Sequence, residues 1–174
     1  MRIFLAVALT LLIGGCSTLK VETDYDMKAD INPPKNFAII HKMYEGEDTL
    51  TADRITAAIE DELTQKGYIE TSKEHADFYV LFHTGVTSKT RIDTDYQYVN
   101  MFPYYYGYGF AAIPQTRVYT YEEAKLIVDA VVPGENKIIW RGTAVDYLKD
   151  MKTPQKKTAY INKVIKELMK SFPK

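Results

Sequence analysis

Read from its amino terminus, the chain opens on an apolar run, Ile3 to Ile13, and thereafter alternates between the two periodicities of strands and helices. The run follows Met1-Arg2 and has the length of a signal-peptide core, short of the roughly 20 residues that a membrane-spanning helix needs. From Ser17 to Asp26, polar residues alternate with Val21, Thr23 and Tyr25, the pattern of a half-exposed strand. Ile31-Asn32-Pro33-Pro34 interrupts regular structure, because two prolines remove two donors and push their predecessors to extended geometry. Phe37 to His41 predicts a second strand, and Glu45 to Asp48 a polar loop. Thr51 is the expected N-cap of a helix, with Asp53 complementing the dipole in its first turn. Ala52, Ile55, Ala58, Ile59 and Leu63 share one face of that helix, and Gly67 supplies its stop.

Phe78 to His83 is strongly β-prone and extends through Gly85 towards Thr90, which predicts a long strand central in a sheet. Tyr96 to Gln115 breaks all periodicity. Arg117–Tyr121, Lys125–Val132 and Lys137–Val145 then read as three strands, the last two joined by a turn at Pro133-Gly134-Glu135-Asn136. Thr153-Pro154 is an N-cap followed by proline at the first helical position, and Ile161, Val164, Ile165, Leu168, Met169 and Phe172 trace an apolar helical stripe. The order of elements predicts an α+β fold: a largely antiparallel sheet with two helices packed on one face, a two-layer sandwich.

Composition narrows this picture. The segment Cys16 to Lys174 is long enough for one domain with a sizeable core and too short for two comfortable ones, so 16–174 reads as a single domain with a Tyr-rich insertion at 96–115. The net charge of −1, with acidic and basic residues interspersed, gives no support for a nucleic-acid partner. Fourteen tyrosines are the one compositional oddity, and many fall within that insertion.

Ile13-Gly14-Gly15-Cys16 resembles a bacterial lipobox. The resemblance implies cleavage after Gly15, removal of residues 1–15, a diacylglycerol thioether on Cys16 and acylation of its new amino group, which makes membrane lipid the covalent partner. Acyl chains contribute about 0.8 kcal/mol per buried methylene, so three chains hold effectively permanently. Ser17, where an inner-membrane retention signal would carry aspartate, implies the periplasmic face of the outer membrane. With Cys16 acylated, no other cysteine remains for a disulfide or a thiolate metal site.

Several segments together resemble a family of small bacterial lipoproteins catalogued as DUF4136. They are the early strand with Asp24, Phe37 in the second strand, Ile55 to Leu63 with Lys66-Gly67-Tyr68, and Ala76-Asp77 before the long strand. Leu126-Ile127-Val128-Asp129, Ile139-Trp140-Arg141-Gly142 and the closing Phe172-Pro173 complete them. The resemblance implies a lipid-anchored envelope protein of α+β fold. It supplies no catalytic residue.

The residues themselves supply none either. His41, His75 and His83 lack ligand spacing, and Asp93-Thr94-Asp95 lacks the glycine and closing glutamate of a calcium loop, so neither a metal nor a cofactor is expected. No glycine-flanked serine elbow is present. Trp140-Arg141-Gly142 fits a ligand clamp less well than a buried indole, an outward guanidinium and a glycine needed for packing. Asp77 and Asp129, unfavourable in strands, are expected to cap backbone or pair with a base.

What stands out is the aromatic stretch, with Tyr98, Phe102, Tyr104, Tyr105, Tyr106, Tyr108 and Phe110 as a candidate contact surface. The expected function is a non-enzymatic, lipid-anchored envelope protein that binds or scaffolds an envelope protein or glycan. The alternatives are an envelope enzyme acting on cell-wall glycan, with carboxylates assembled only by the fold, and a structural or stress lipoprotein without a specific ligand.

Overall fold

The computed structural model of the chain describes residues 18–28, 35–42, 46–100, 110–135 and 137–173. The leader, Cys16, Phe102, Tyr104, Tyr105, Tyr106, Tyr108 and the Pro33-Pro34 break lie outside them. Six strands and two long helices follow in the order β1 (Lys20–Tyr25), β2 (Asn36–Ile39), α1 (Thr49–Gln65), β3 (Ile69–Glu70), β4 (Phe78–Asn100), β5 (Phe110–Val132), β6 (Lys137–Tyr147) and α2 (Pro154–Met169). The strands form one sheet in the order β1-β6-β5-β4-β2-β3.

The fold is α+β as expected, but the sheet is mixed and not largely antiparallel. β1, β6, β5 and β4 pair antiparallel, whereas β2 runs parallel to both β4 and β3. The cause is α1. A chain that leaves β2 through a helix of this length returns at the end where it started, so the strands it joins run the same way.

Local chemistry sets the helix boundaries. Asp48, not Thr51, caps α1: its Oδ1 accepts the Leu50 N–H at 3.1 Å and its Oδ2 the Thr51 hydroxyl at 2.7 Å. Asp48 serves as well as threonine because both offer an oxygen to the free N–H groups of the first turn. Gly67 closes α1 at φ 94°, a left-handed conformation that favours glycine. Thr153 caps α2 with Pro154 at its start, as the sequence predicts.

The core collects alternate residues of the central strands, Phe78, Val80 and Phe82 of β4 with Leu126, Val128 and Ala130 of β5. Ile55, Ile59 and Leu63 of α1 and Val164, Ile165, Leu168 and Met169 of α2 complete it. In β6 the alternation changes phase at a bulge, where Val131 faces Ile138 and Ala130 faces Trp140, so Ile139 and Trp140 are both buried.

β4 and β5 outrun the rest of the sheet. The segments predicted as two strands, Arg117–Tyr121 and Lys125–Val132, are one continuous strand, and the Tyr96–Gln115 stretch, aperiodic in sequence, enters the ladder at both ends, with Tyr96 opposite Pro114 and Asn100 opposite Phe110. β6 pairs with β5 only as far as Glu123, and β2 with β4 only as far as Val80. From Ser88 to Asn100 and from Phe110 to Glu122 the two strands therefore pair only with each other. At about 3.4 Å per residue they form a ribbon that projects roughly 40 Å beyond the sheet.

Candidate functional site

At the base of the ribbon lies an open cleft of about 880 Å³, lined by residues of the sheet and of both helices. Its floor includes Val86, Ala124, Leu126 and Ala144, its walls Leu19, Ala52, Ile55 and Val164, and its rim Glu47, Asp48, Glu122, Lys125 and Lys157. Asp48 is committed to capping α1, and Glu47 Oε1 lies 3.0 Å from His41 Nε2, whose ring stacks on Phe82 at 4.1 Å. That His–Glu contact was not legible in the sequence, since the fold alone brings the two together.

Asp146 is the buried charge of the cleft. Its Oδ1 accepts the Thr18 hydroxyl and, at 2.9 Å, the Tyr147 N–H; its Oδ2 accepts Lys149 Nζ at 2.7 Å and the Tyr160 hydroxyl at 2.6 Å. Burial pushes its pKa up, but the hydrogen bonds from Lys149, Thr18 and Tyr160 and the Tyr147 N–H outweigh burial and lower it from 3.8 to about 2. Burial and the same carboxylate raise the Tyr160 phenol. The node ties together the start of β1, the end of β6 and α2.

A carboxylate whose folded pKa is depressed contributes stability above its unfolded pKa and loses it as pH falls through the folded value. Asp146 therefore contributes about 2 kcal/mol near neutrality, lost between about pH 4 and about pH 2. Asp146→Asn is expected to remove about that much stability at neutral pH and to flatten the acid limb of a urea-unfolding series followed by circular dichroism. An unchanged acid limb would show that Asp146 is not the linked group.

The ribbon sorts its residues by face. Even-numbered positions of β4 and their partners on β5 continue the side of the sheet that carries the core residues: Val86 with Ala124, Ile92 with Val118, Tyr96 with Pro114 and Tyr98 with Ala112, the intervals filled by Ser88 with Glu122 and then by threonine pairs. From Thr90 to Tyr98 and from Ala112 to Thr120 this face carries no charged residue. The opposite face holds Lys89, Arg91, Asp93, Asp95 and Arg117 together with Ile113, Tyr119 and Tyr121, with Arg91 Nε donating to Asp93 Oδ1 at 2.7 Å and Asp93 opposite Arg117. The uncharged face is solvent-exposed: Ile92 is 65% exposed, Val118 63% and Tyr98 72%.

Of the residues singled out in the sequence, Tyr98 thus lies on the uncharged face and Phe110 starts β5. Asp93 and Asp95 point to the charged face, one partnered by arginine. Trp140 is fully buried, Arg141 donates to Asp129 at 2.6 and 2.7 Å, and Asp77 accepts the Asn36 N–H at 2.9 Å, so all three play structural parts. Among the described residues no cluster of three or more His, Cys, Asp or Glu side chains is placed to hold a metal, and no helix is long and apolar enough to cross a membrane.

Residues 21–174 match the family described as Domain of unknown function (DUF4136). The chain belongs to this family. No curated protein matches this DUF4136 chain. Among solved structures, it is similar to a PDZ domain protein from Parabacteroides distasonis, with 14% identity and a TM-score of 0.52 over 90% of this chain, and it spans 37% of that protein's length. That likeness shows the fold alone. PelC, a dodecamer from Paraburkholderia phytofirmans, gives a TM-score of 0.44 at 8% identity, over 87% of this chain and 94% of PelC.

Proposed function

We propose that this DUF4136 chain is a lipid-anchored, non-enzymatic protein of the bacterial envelope that scaffolds other envelope components through its ribbon. In this reading residues 1–15 are a cleaved signal peptide, Cys16 carries the diacylglycerol and the N-acyl chain, the two helices form one layer against the sheet, and the domain sits on the periplasmic face of the outer membrane.

The observation that carries the reading is where the chain enters the fold. Thr18 bonds to Asp146 and Leu19 lines the cleft, both at the ribbon's base, and Cys16 lies only two residues, or about 7 Å of extended chain, before Thr18. An anchor at Cys16 holds the membrane against the end of the molecule from which the ribbon projects. Contacts made there need little intrinsic affinity, because anchoring raises the effective concentration of neighbours on the same surface. Three of the five carboxylates that line the cleft, Asp146, Asp48 and Glu47, are occupied by structural partners, which supports a scaffold over an enzyme.

Metabolic labelling with palmitate is expected to mark the wild-type protein in the outer-membrane fraction and to fail with Cys16→Ser, which stays soluble. Photo-crosslinkers at Tyr98 and Ile113 are expected to capture envelope components in intact cells, while one at Lys73, on the far side of the sheet from β6, does not. Equal capture from both places would remove the ribbon from this role.

A further inference from the structure

Two properties of the ribbon go beyond what a solvated arm needs. Its charges are sorted with a period of two, so one face is uncharged along most of its length while the other carries arginines and aspartates. Both its edges are open as well. The Val80 carbonyl accepts from Ile40 and the Glu122 carbonyl from Leu148, so even-numbered residues on each strand turn their backbone groups outwards. Beyond these two bonds the outward N–H and C=O groups of the ribbon face no other strand among the described residues. Long open edges are templates for pairing, and soluble proteins blunt them. Here the outward edge of β5 carries one proline, Pro114, which removes a single donor near the far end.

We infer that several copies of this chain join ribbon to ribbon, β4 of one against β5 of the next, and close a β-barrel that crosses the bilayer with the uncharged face towards lipid. The geometry supports each part. β4 and β5 are antiparallel within one copy, and a head-to-tail ring repeats the same relation between copies, so every neighbour in the barrel is antiparallel. Closure satisfies both open edges, the condition for strands to lie in hydrocarbon at all. A tilted membrane strand needs about 9–11 residues, and the ribbon strands exceed this.

Alternating outward apolar and inward polar residues, with aromatics where the strands meet the interface, are the pattern of membrane barrels. Ile92 and Val118 occupy the middle of the uncharged face, and Tyr96 and Tyr98 lie towards its far end. Arg91, Asp93, Asp95 and Arg117, interspersed with Ile113, Tyr119 and Tyr121, would line the lumen, a mixed-charge passage suited to small hydrophilic solutes. The inference rests on the anchor at Cys16, which places the membrane at the ribbon's end of the molecule.

The test is cysteine scanning along β4 in the acylated protein, in which Cys16, the one native cysteine, is blocked by lipid. In membrane fractions a membrane-impermeant maleimide is expected to react at Arg91→Cys, Asp93→Cys and Asp95→Cys at least about tenfold faster than at Thr90→Cys, Ile92→Cys and Thr94→Cys. Purified acylated protein in phosphatidylethanolamine and phosphatidylglycerol vesicles is expected to release a small trapped dye, and an Ile92→Lys/Val118→Lys double variant to release it about tenfold more slowly while melting at the same temperature. These positions are exposed, so the folded domain tolerates them. Membrane-bound protein whose two faces react equally, or wild-type protein that releases no dye, overturns the barrel and leaves the anchor standing. Wild-type protein absent from the membrane fraction overturns both.

Discussion

Replacing Trp140 with alanine is expected to cost about 4 kcal/mol, a large share of the about 5–15 kcal/mol that stabilises a typical domain. The side chain is fully buried and lies edge-to-face on Phe172 at 4.9 Å. Phe172 in turn packs on Tyr68 at 5.5 Å and Phe78 at 6.0 Å, and Tyr68 on Phe78 at 5.5 Å. One aromatic cluster therefore joins β6, β4, the turn after α1 and the residues that follow α2. Removing its indole leaves a cavity that cannot easily collapse, because the residues around it, among them Phe172, Tyr68, Phe78 and Leu168, are themselves fully or almost fully buried. The indole Nε1 is buried and meets no hydrogen-bond partner among the described residues, so Trp140→Phe is expected to lose far less, about 1–2 kcal/mol. Urea unfolding followed by far-ultraviolet circular dichroism checks both, since the variants lack the only tryptophan and its fluorescence. Equal losses for alanine and phenylalanine would mean that the indole's shape, and not its burial, is what matters.

The second large effect is expected two residues on. A Cβ at Gly142 would lie 2.6 and 2.8 Å from Leu168 Cδ2 and Cγ and would also meet the Trp140 ring. Glycine inside a strand ordinarily costs about 0.5–1 kcal/mol relative to alanine, so Gly142→Ala would be stabilising if space were the only unknown. Here overpacking wins. Both neighbours are fully buried, and α2 must shift off β6 to make room, which reverses the sign to a loss of about 2–3 kcal/mol. The double variant Gly142→Ala/Leu168→Ala is expected to be less destabilised than the sum of its singles by about 1 kcal/mol or more, measured as a double-mutant cycle in urea. Additive losses would show that the helix does not press on the strand at this point.

These two positions explain why Trp140-Arg141-Gly142 reads from sequence as either a ligand clamp or a packing device. Both readings want a flat aromatic, a cation and a residue without a side chain. The fold decides by placing Arg141 on Asp129, on the opposite side of the sheet from the indole, and by pressing Leu168 against the glycine. Asp129 follows the same logic: an aspartate among Val128 and Ala130 is costly in a strand until the cross-strand partner at position 141 is known to be arginine.

Local chemistry by itself determined much of this molecule. The 3.6-residue stripes of α1 and α2, the stop at Gly67, the Thr153-Pro154 start and the apolar runs of β4 and β6 are each written in consecutive residues, because a helix or strand that must bury one face has to repeat its apolar residues at that element's own period. The family resemblance of residues 21–174 follows from the same elements in the same order. Tertiary structure alone decided three things. The parallel placement of β2 depends on where α1 returns the chain. The Asp146 node depends on residues from 18 to 160 converging. The ribbon escaped the sequence because its uncharged face is filled largely by threonine and tyrosine, so the alternation shows as charged against uncharged and not as apolar against polar. No core selects for that face, and only the pairing of β4 with β5 brings its two halves together as one amphipathic surface.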